Sequence, residues 1–281
     1  MPRALSKGID WIQYRLDFRH WKHNSQFSGE KGVGRVAFIA CVLSSALTFN
    51  LIVLLVTSMD RIGITNIGIF KPEFNTFCSQ ERVVLIVQII LFATTLCIFH
   101  LLEFFVTALY NPTVVTATSF VVNHSRSYTI AMLVSLIEYI IRFIFFPSIN
   151  SKMMSIIGIF LVMLGQSIRS LAMITCGESF NHIIQLSKKQ NHALVKSGIY
   201  QYLRHPSYFG FYYWSVGTQM MLGNFISTFL FAAASWAFFK RRIPYEEQTL
   251  VKMFPTEYPE YMKSTMIGIP FIHSNRKQNT D

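Results

Sequence analysis

Two polar clusters stand out in an otherwise apolar chain. One reads SGIYQYLRHPSYFGFYYWS at residues 197–215, and the other RRIPYEEQ at 241–248. The first sets Arg204 and His205 against Pro206 where a long apolar stretch begins; the second sets Arg242, Glu246 and Glu247 just past the end of another. In a chain that is mostly membrane span these clusters are where chemistry is expected, and a charged pair at such a boundary should sit at the membrane surface. The segment 177–205 adds hydrogen-bonding groups at Asn181, His182, Gln185, His192, Tyr200, Arg204 and His205, an inventory that suits a polar ligand. Pro206 biases His205 away from helical geometry. Free N–H groups of Ser207 and Tyr208 at the helix start would favour an anion. A surface loop resting its aromatics on lipid headgroups accounts for the same residues, and from them alone the two readings stay open.

The elements that must position these groups are membrane helices. Of the 281 residues, 52% are hydrophobic and only 14% charged, far from soluble usage. A hydrocarbon core of about 30 Å needs roughly 20 apolar residues as helix. Six stretches fit as spans: 36–58, 83–109, 128–146, 153–176, 206–222 and 225–239. The last two are short and joined only by Gly223 and Asn224, which predicts a tight helical hairpin whose open ends bring the two polar clusters together. Weaker stretches at 9–21 and 62–70 leave room for eight helices. The chain divides into a basic, aromatic interfacial segment at 1–35, transmembrane helices at 36–176, and a polar-site region at 177–281 that holds the hairpin 206–239 and a cytosolic tail.

A net charge of +11 raises nucleic acid as a partner, but the positions of the 25 basic residues argue for lipid. Nineteen fall on one side of the expected topology and four (Arg61, Lys71, Arg82, Lys152) on the other, with Arg142 and Arg169 inside spans. The positive-inside rule makes the crowded side cytosolic, facing anionic headgroups and carrying both termini and both clusters. The first 35 residues lack a cleavable signal pattern, and the end of the chain is neither a retention signal nor a prenylation box. Cys41, Cys78, Cys97 and Cys176 lack metal-site spacing and read as packing residues, so no metal is expected. The GEKGVGR run at 29–35 leads into a span rather than a βαβ unit, which excludes a nucleotide loop. The sequon at Asn123 falls on the cytosolic side. Charges inside spans need partners: Glu138 and Arg142, four apart, are expected to pair with each other, and His100 with Glu103 to make a similar local contact. Arg169 either snorkels to the surface or lines a polar cavity.

At these residues the chain closely resembles the isoprenylcysteine carboxyl methyltransferases. The likeness covers about 166–272 and rests on FNHIIQ (180–185), HALVKSGIY (192–200), RHPSYFGFYYWSVGTQ (204–219), Arg242 with Glu246 and Glu247, and GIPFI (268–272). FFVTALYNP at 104–112 is also family-like. The resemblance implies an all-α bundle of eight helices with S-adenosylmethionine at its cytosolic face and residence in the endoplasmic reticulum membrane. By position, Gln185, His192, Ala193, Leu194, Val195, Tyr200, His205, Pro206, Ser207, Tyr208 and Glu246 belong to the cofactor pocket, and Arg242 to the acceptor site. The implied reaction methylates the C-terminal carboxylate of a prenylated cysteine, in proteins whose last three CaaX residues have been removed. Arg242 and Glu246 are its expected catalytic pair, though Pro244 between them leaves their sharing a helical face unassigned. Pro255 stands where the family commonly has glycine. Phospholipid N-methyltransferases and membrane sterol reductases using NADPH have similar C-terminal regions, and a non-enzymatic transporter is the alternative from a different class.

Overall fold

The computed structural model describes residues 30–61, 80–122, 126–149, 151–185 and 193–273. Residues 1–29 of the interfacial segment, the 62–70 stretch, the sequon, Cys78 and His192 lie outside them; residues 30–35 are helical. Seven α-helices form among the described residues, and apart from short 3-10 turns the remainder is irregular. They are α1 (Glu30–Arg61), α2 (Gln80–Tyr110), α3 (Arg126–Phe145), α4 (Lys152–Cys176), α5 (Pro206–Leu222), α6 (Phe225–Met253) and α7 (Glu257–Ser264). Four of the expected spans recur as helices long and apolar enough to cross a bilayer, at Arg35–Met59, Glu81–Tyr110, Ser127–Phe145 and Lys152–Ser179. Their outward faces carry bare apolar side chains such as Phe38, Phe49, Leu133, Ile137, Phe160 and Met163. Such a surface is stable in lipid and would aggregate in water.

α4 and α5 run antiparallel in backbone-to-backbone contact, and glycine makes this possible. A Cβ added at Gly165 would stand 2.5 Å from the Gly210 carbonyl oxygen and 2.6 Å from the Trp214 nitrogen. At Gly158 it would stand 2.3 Å from the Met221 nitrogen, and at Gly217 it would stand 2.9 Å from the Gly158 oxygen. Gly158 and Gly165, like Gly210 and Gly217, are seven apart, two helical turns, so each pair lies on one face. Small residues in such seams let membrane helices gain dispersion energy where lipid offers no hydrophobic drive.

The predicted hairpin forms: Gly223 (φ 73°) ends α5 and Asn224 opens α6. The charges on α3 hold its turn, which corrects the expected Glu138–Arg142 pair. Arg142 donates to the Leu222 carbonyl (2.8 Å), to Asn224 Oδ1 (3.3 Å) and to the Ile149 carbonyl (3.1 Å). Glu138 accepts from the backbone N–H groups of Ile226 (2.8 Å) and Ser227 (2.7 Å). The cation thus caps the carbonyl end of α5 and the anion the amide end of α6, the signs that orphan backbone groups and helix dipoles favour.

The second arm of the hairpin is longer than expected. α6 continues past Phe239 and through Pro244 to Met253, so the second polar cluster is helical rather than part of a tail. It stops at Phe254, whose backbone (φ −133°, ψ 67°) has left the helical region that the following Pro255 disfavours. After α7 the chain returns along the start of α5. The Arg204 N–H donates to the Met266 carbonyl (3.0 Å), and the Met266 N–H to that of Tyr202 (3.1 Å). Ile267, Ile269 and Ile272 then bury against Phe239 and Ile243.

Gly165→Ala is expected to lower the thermal midpoint in detergent, because neither facing backbone can retreat; overpacking of this kind costs about 1–3 kcal/mol or more. Ala substituted at Gly177, which has open space around its Cβ position, has no such seam to break and serves as the comparison for backbone strain alone.

Candidate active site

α5 begins with Pro206 at its first position, where a missing N–H costs nothing, and His205 precedes it in non-helical geometry. Glu246 and Glu247 are neighbours on α6 and therefore point about 100° apart. Glu247 turns toward the Arg-His pair. Its Oε1 accepts from Arg204 Nε at 2.6 Å and lies 3.1 Å from His205 Nε2, and all three side chains are buried. Arg204 also donates to the Thr265 carbonyl at 2.7 Å, which ties the returning tail to the same knot.

Glu246 points elsewhere, into a cavity, and Arg242 one turn earlier shares that face despite Pro244. The Tyr208 hydroxyl joins them, accepting from Arg242 Nε at 2.8 Å and donating to Glu246 Oε2. The guanidinium lies over the rings of Tyr208 (5.4 Å) and Phe238 (5.7 Å) and donates through Nη2 to the His182 carbonyl at 2.7 Å. Tyr208 is itself stacked on His205, with ring centroids 5.4 Å apart and planes 2° from parallel.

One cavity gathers the expected site residues that the structure describes: Gln185, Ala193, Leu194, Val195, Tyr200, His205, Pro206, Ser207, Tyr208, Arg242 and Glu246 all line it. One detail differs from the sequence reading. The Tyr208 amide is not free for an anion, because it donates to the His205 carbonyl at 3.1 Å.

Sequence reasoning missed the support behind this wall. Glu103 on α2 is buried and accepts a two-pronged contact from Arg169 (Nε 2.6 Å, Nη2 2.7 Å), while His182 Nε2 lies 2.9 Å from its second oxygen. Arg169 further donates to Ser207 Oγ at 3.0 Å, and so lines the cavity rather than snorkelling. The imagined local partner of Glu103, His100, instead has Nδ1 2.8 Å from the Phe120 carbonyl oxygen. Asn111, in the NP of the family-like stretch, donates to the carbonyls of Glu178 (3.1 Å) and Phe180 (2.8 Å), fixing the loop that carries His182. Intramembrane charge was the signal available in the sequence, but spacing along one helix cannot reveal a partner on another.

Burial alone would raise the Glu247 carboxyl, yet the hydrogen bond and charge of His205 and of Arg204 outweigh it and hold the group below its ordinary value. A depressed folded-state value means that the stabilisation is present above the unfolded value, about 4.3 for glutamate, and is lost as pH falls through the lower folded value. The midpoint of the wild type should therefore drop on acidification through that range. Glu247→Gln should respond less to acid there and be less stable at neutral pH by about 3–5 kcal/mol, the cost of stranding a buried guanidinium; thermal scans across pH check both.

Residues 156–252 match the model of the isoprenylcysteine carboxyl methyltransferase family. The chain is 45% identical over 178 residues to a protein-S-isoprenylcysteine O-methyltransferase of Dictyostelium discoideum, covering 63% of this chain and 75% of that one. A protein of the same name from Saccharomyces cerevisiae is 42% identical over 189 residues, covering 65% and 79% respectively. Among solved structures, that of the eukaryotic intramembrane Ras methyltransferase ICMT superposes with a TM-score of 0.75 at 31% identity, covering 96% of this chain and 87% of that one. With this identity over three quarters or more of each relative, and a matching fold, the chain belongs to the isoprenylcysteine carboxyl methyltransferase family.

Proposed function

We propose that this protein transfers a methyl group from S-adenosylmethionine to the C-terminal carboxylate of a prenylated cysteine, forming a methyl ester. The carrying observation is that Arg242 and Glu246 face one cavity on either side of the Tyr208 hydroxyl. Such a site offers a cation for the acceptor and an anion for the donor. The acceptors are CaaX proteins already trimmed of their last three residues, and the site faces the cytosol from the endoplasmic reticulum membrane, the side on which the sequence places most of its basic residues.

The cavity fits the proposed donor in kind: Glu246 can take up a ligand ammonium, and Leu194, Val195 and Tyr200 offer an apolar and aromatic wall. When bound there, the donor supplies an electrophilic sulfonium methyl. Arg242 spends two of its five N–H groups on Tyr208 and His182, which aims the guanidinium and leaves others for the acceptor. Its role is orientation rather than deprotonation. The acceptor carboxylate is already ionised at neutral pH, so the site needs no general base. Placement at the membrane boundary limits water, and less-solvated opposite charges lose less solvation on reacting. Most of the rate then comes from holding two groups in line.

Radiolabelled methyl from S-adenosylmethionine is expected on N-acetyl-S-farnesylcysteine as a base-labile ester, and not on phosphatidylethanolamine vesicles assayed in parallel. Label in lipid alone would overturn the reading. Arg242→Ala should lower kcat/KM for the farnesylcysteine about 10- to 100-fold, the scale of one charge-assisted hydrogen bond. Glu246→Ala should weaken cofactor binding measured by calorimetry.

A further inference from the structure

Four tyrosines line the cavity, and three have committed their hydroxyls. Tyr200 donates to the Ala172 carbonyl at 3.4 Å, Tyr261 to that of Tyr200 at 2.6 Å, and Tyr208 to Glu246. The fourth, Tyr258 on α7, is 1% exposed, and its hydroxyl has no hydrogen-bond partner. Of the buried polar side-chain atoms left unpartnered among the described residues, it alone belongs to a residue lining the cavity. Folded proteins rarely leave such a group unsatisfied, and one beside a ligand cavity points to the ligand as the partner.

The surroundings say what kind of ligand atom that is. Tyr258 packs with Phe254 and Tyr261, and Leu194, Tyr200, Leu250 and Met253 border the same cluster. The charges that act most on Tyr258, Glu247 and Arg204, are bound to each other, and Glu247 to His205 as well. The remaining neighbours are apolar or have spent their hydroxyls, so what this part of the wall leaves open suits a flat ring. The Tyr258 ring is held in place by the Tyr261 ring at 5.9 Å, and its backbone N–H by the Phe254 carbonyl at 3.0 Å. Burial and the nearby Glu247 carboxylate push its hydroxyl well above the ordinary tyrosine value, so it remains a donor at neutral pH.

We infer that the Tyr258 hydroxyl donates a hydrogen bond to the heteroaromatic base of the methyl donor, whose ring lies against the Leu194, Leu250, Met253 and Phe254 wall. The inference rests on the donor assignment made above and adds a residue that neither the RHP nor the EE cluster contains.

Tyr258→Phe removes one oxygen and nothing else, and is read by calorimetry in detergent together with the thermal midpoint of the ligand-free protein. Affinity for S-adenosylhomocysteine and for 5′-methylthioadenosine, which keeps the base but lacks the amino-acid arm, should fall by a similar factor of about 2 to 10, one net hydrogen bond. The ligand-free midpoint should hold or rise, because an unsatisfied polar atom has been removed. Unchanged affinities with a lowered midpoint would overturn the inference by showing a structural partner. A loss confined to S-adenosylhomocysteine would place the contact on the amino-acid arm and overturn it as well. If the wild type bound neither compound, the donor assignment itself would fail, and the inference with it.

Discussion

The close contact of α4 with α5 is the constraint from which the rest of the site follows. A Cβ at Gly210 would meet the Arg169 backbone nitrogen at 2.7 Å, so the glycine seam ends beside the arginine that reaches into the cavity. Because the backbones touch there, Arg169 on one helix can donate to Ser207 in the first turn of the other. A wider spacing would break that bond and separate Cys176, at the end of α4, from the start of α5 across the cavity they both line. Dispersion between two backbones thus decides where polar chemistry happens several residues away.

Polar groups at membrane depth show a common arrangement. Glu103 gathers Arg169 and His182 from two other segments, and Arg142 with Glu138 closes the turn between α5 and α6. Each charge is costly in hydrocarbon and is met by a group from a different helix, so the charges fix neighbours rather than form a path across the bilayer. Glu247 does the same at the surface, drawing Arg204 and His205 together while Glu246 remains turned to the cavity.

The helices were legible because a span announces itself by length and composition, and the hairpin because Gly223 and Asn224 interrupt apolar sequence. The residues of the cavity were legible through resemblance, concentrated as they are in short motifs at the membrane boundary. Partners were not. Glu138 and Arg142 satisfy every local rule for an ion pair, yet each finds better-placed backbone groups on the neighbouring hairpin, a contact 80 or more residues away in sequence. Pro244 obscured the reach of α6: proline removes one backbone donor and strains the preceding turn, but packing of Phe239 and Ile243 against the returning tail holds the helix before it, and the Glu247 contacts with Arg204 and His205 hold it beyond. The glycine seam was present at seven-residue spacing, but spacing alone does not say which helix faces it.

α6 joins two environments in one rod. Its first half is apolar, with Phe225 and Phe229 bare to lipid, and Arg242 and Glu246 follow Phe239 by about 4.5 and 10 Å of helical rise. The helix therefore holds the guanidinium at a set height above its own apolar half, much as a gauge is read against a surface. The proposed acceptor carries its lipid tail only a few bonds from its carboxylate, so that height decides whether the two meet. On the proposed function, a bilayer that raised or sank the rod would shift the alignment of the reacting groups without any ligand and from outside the protein.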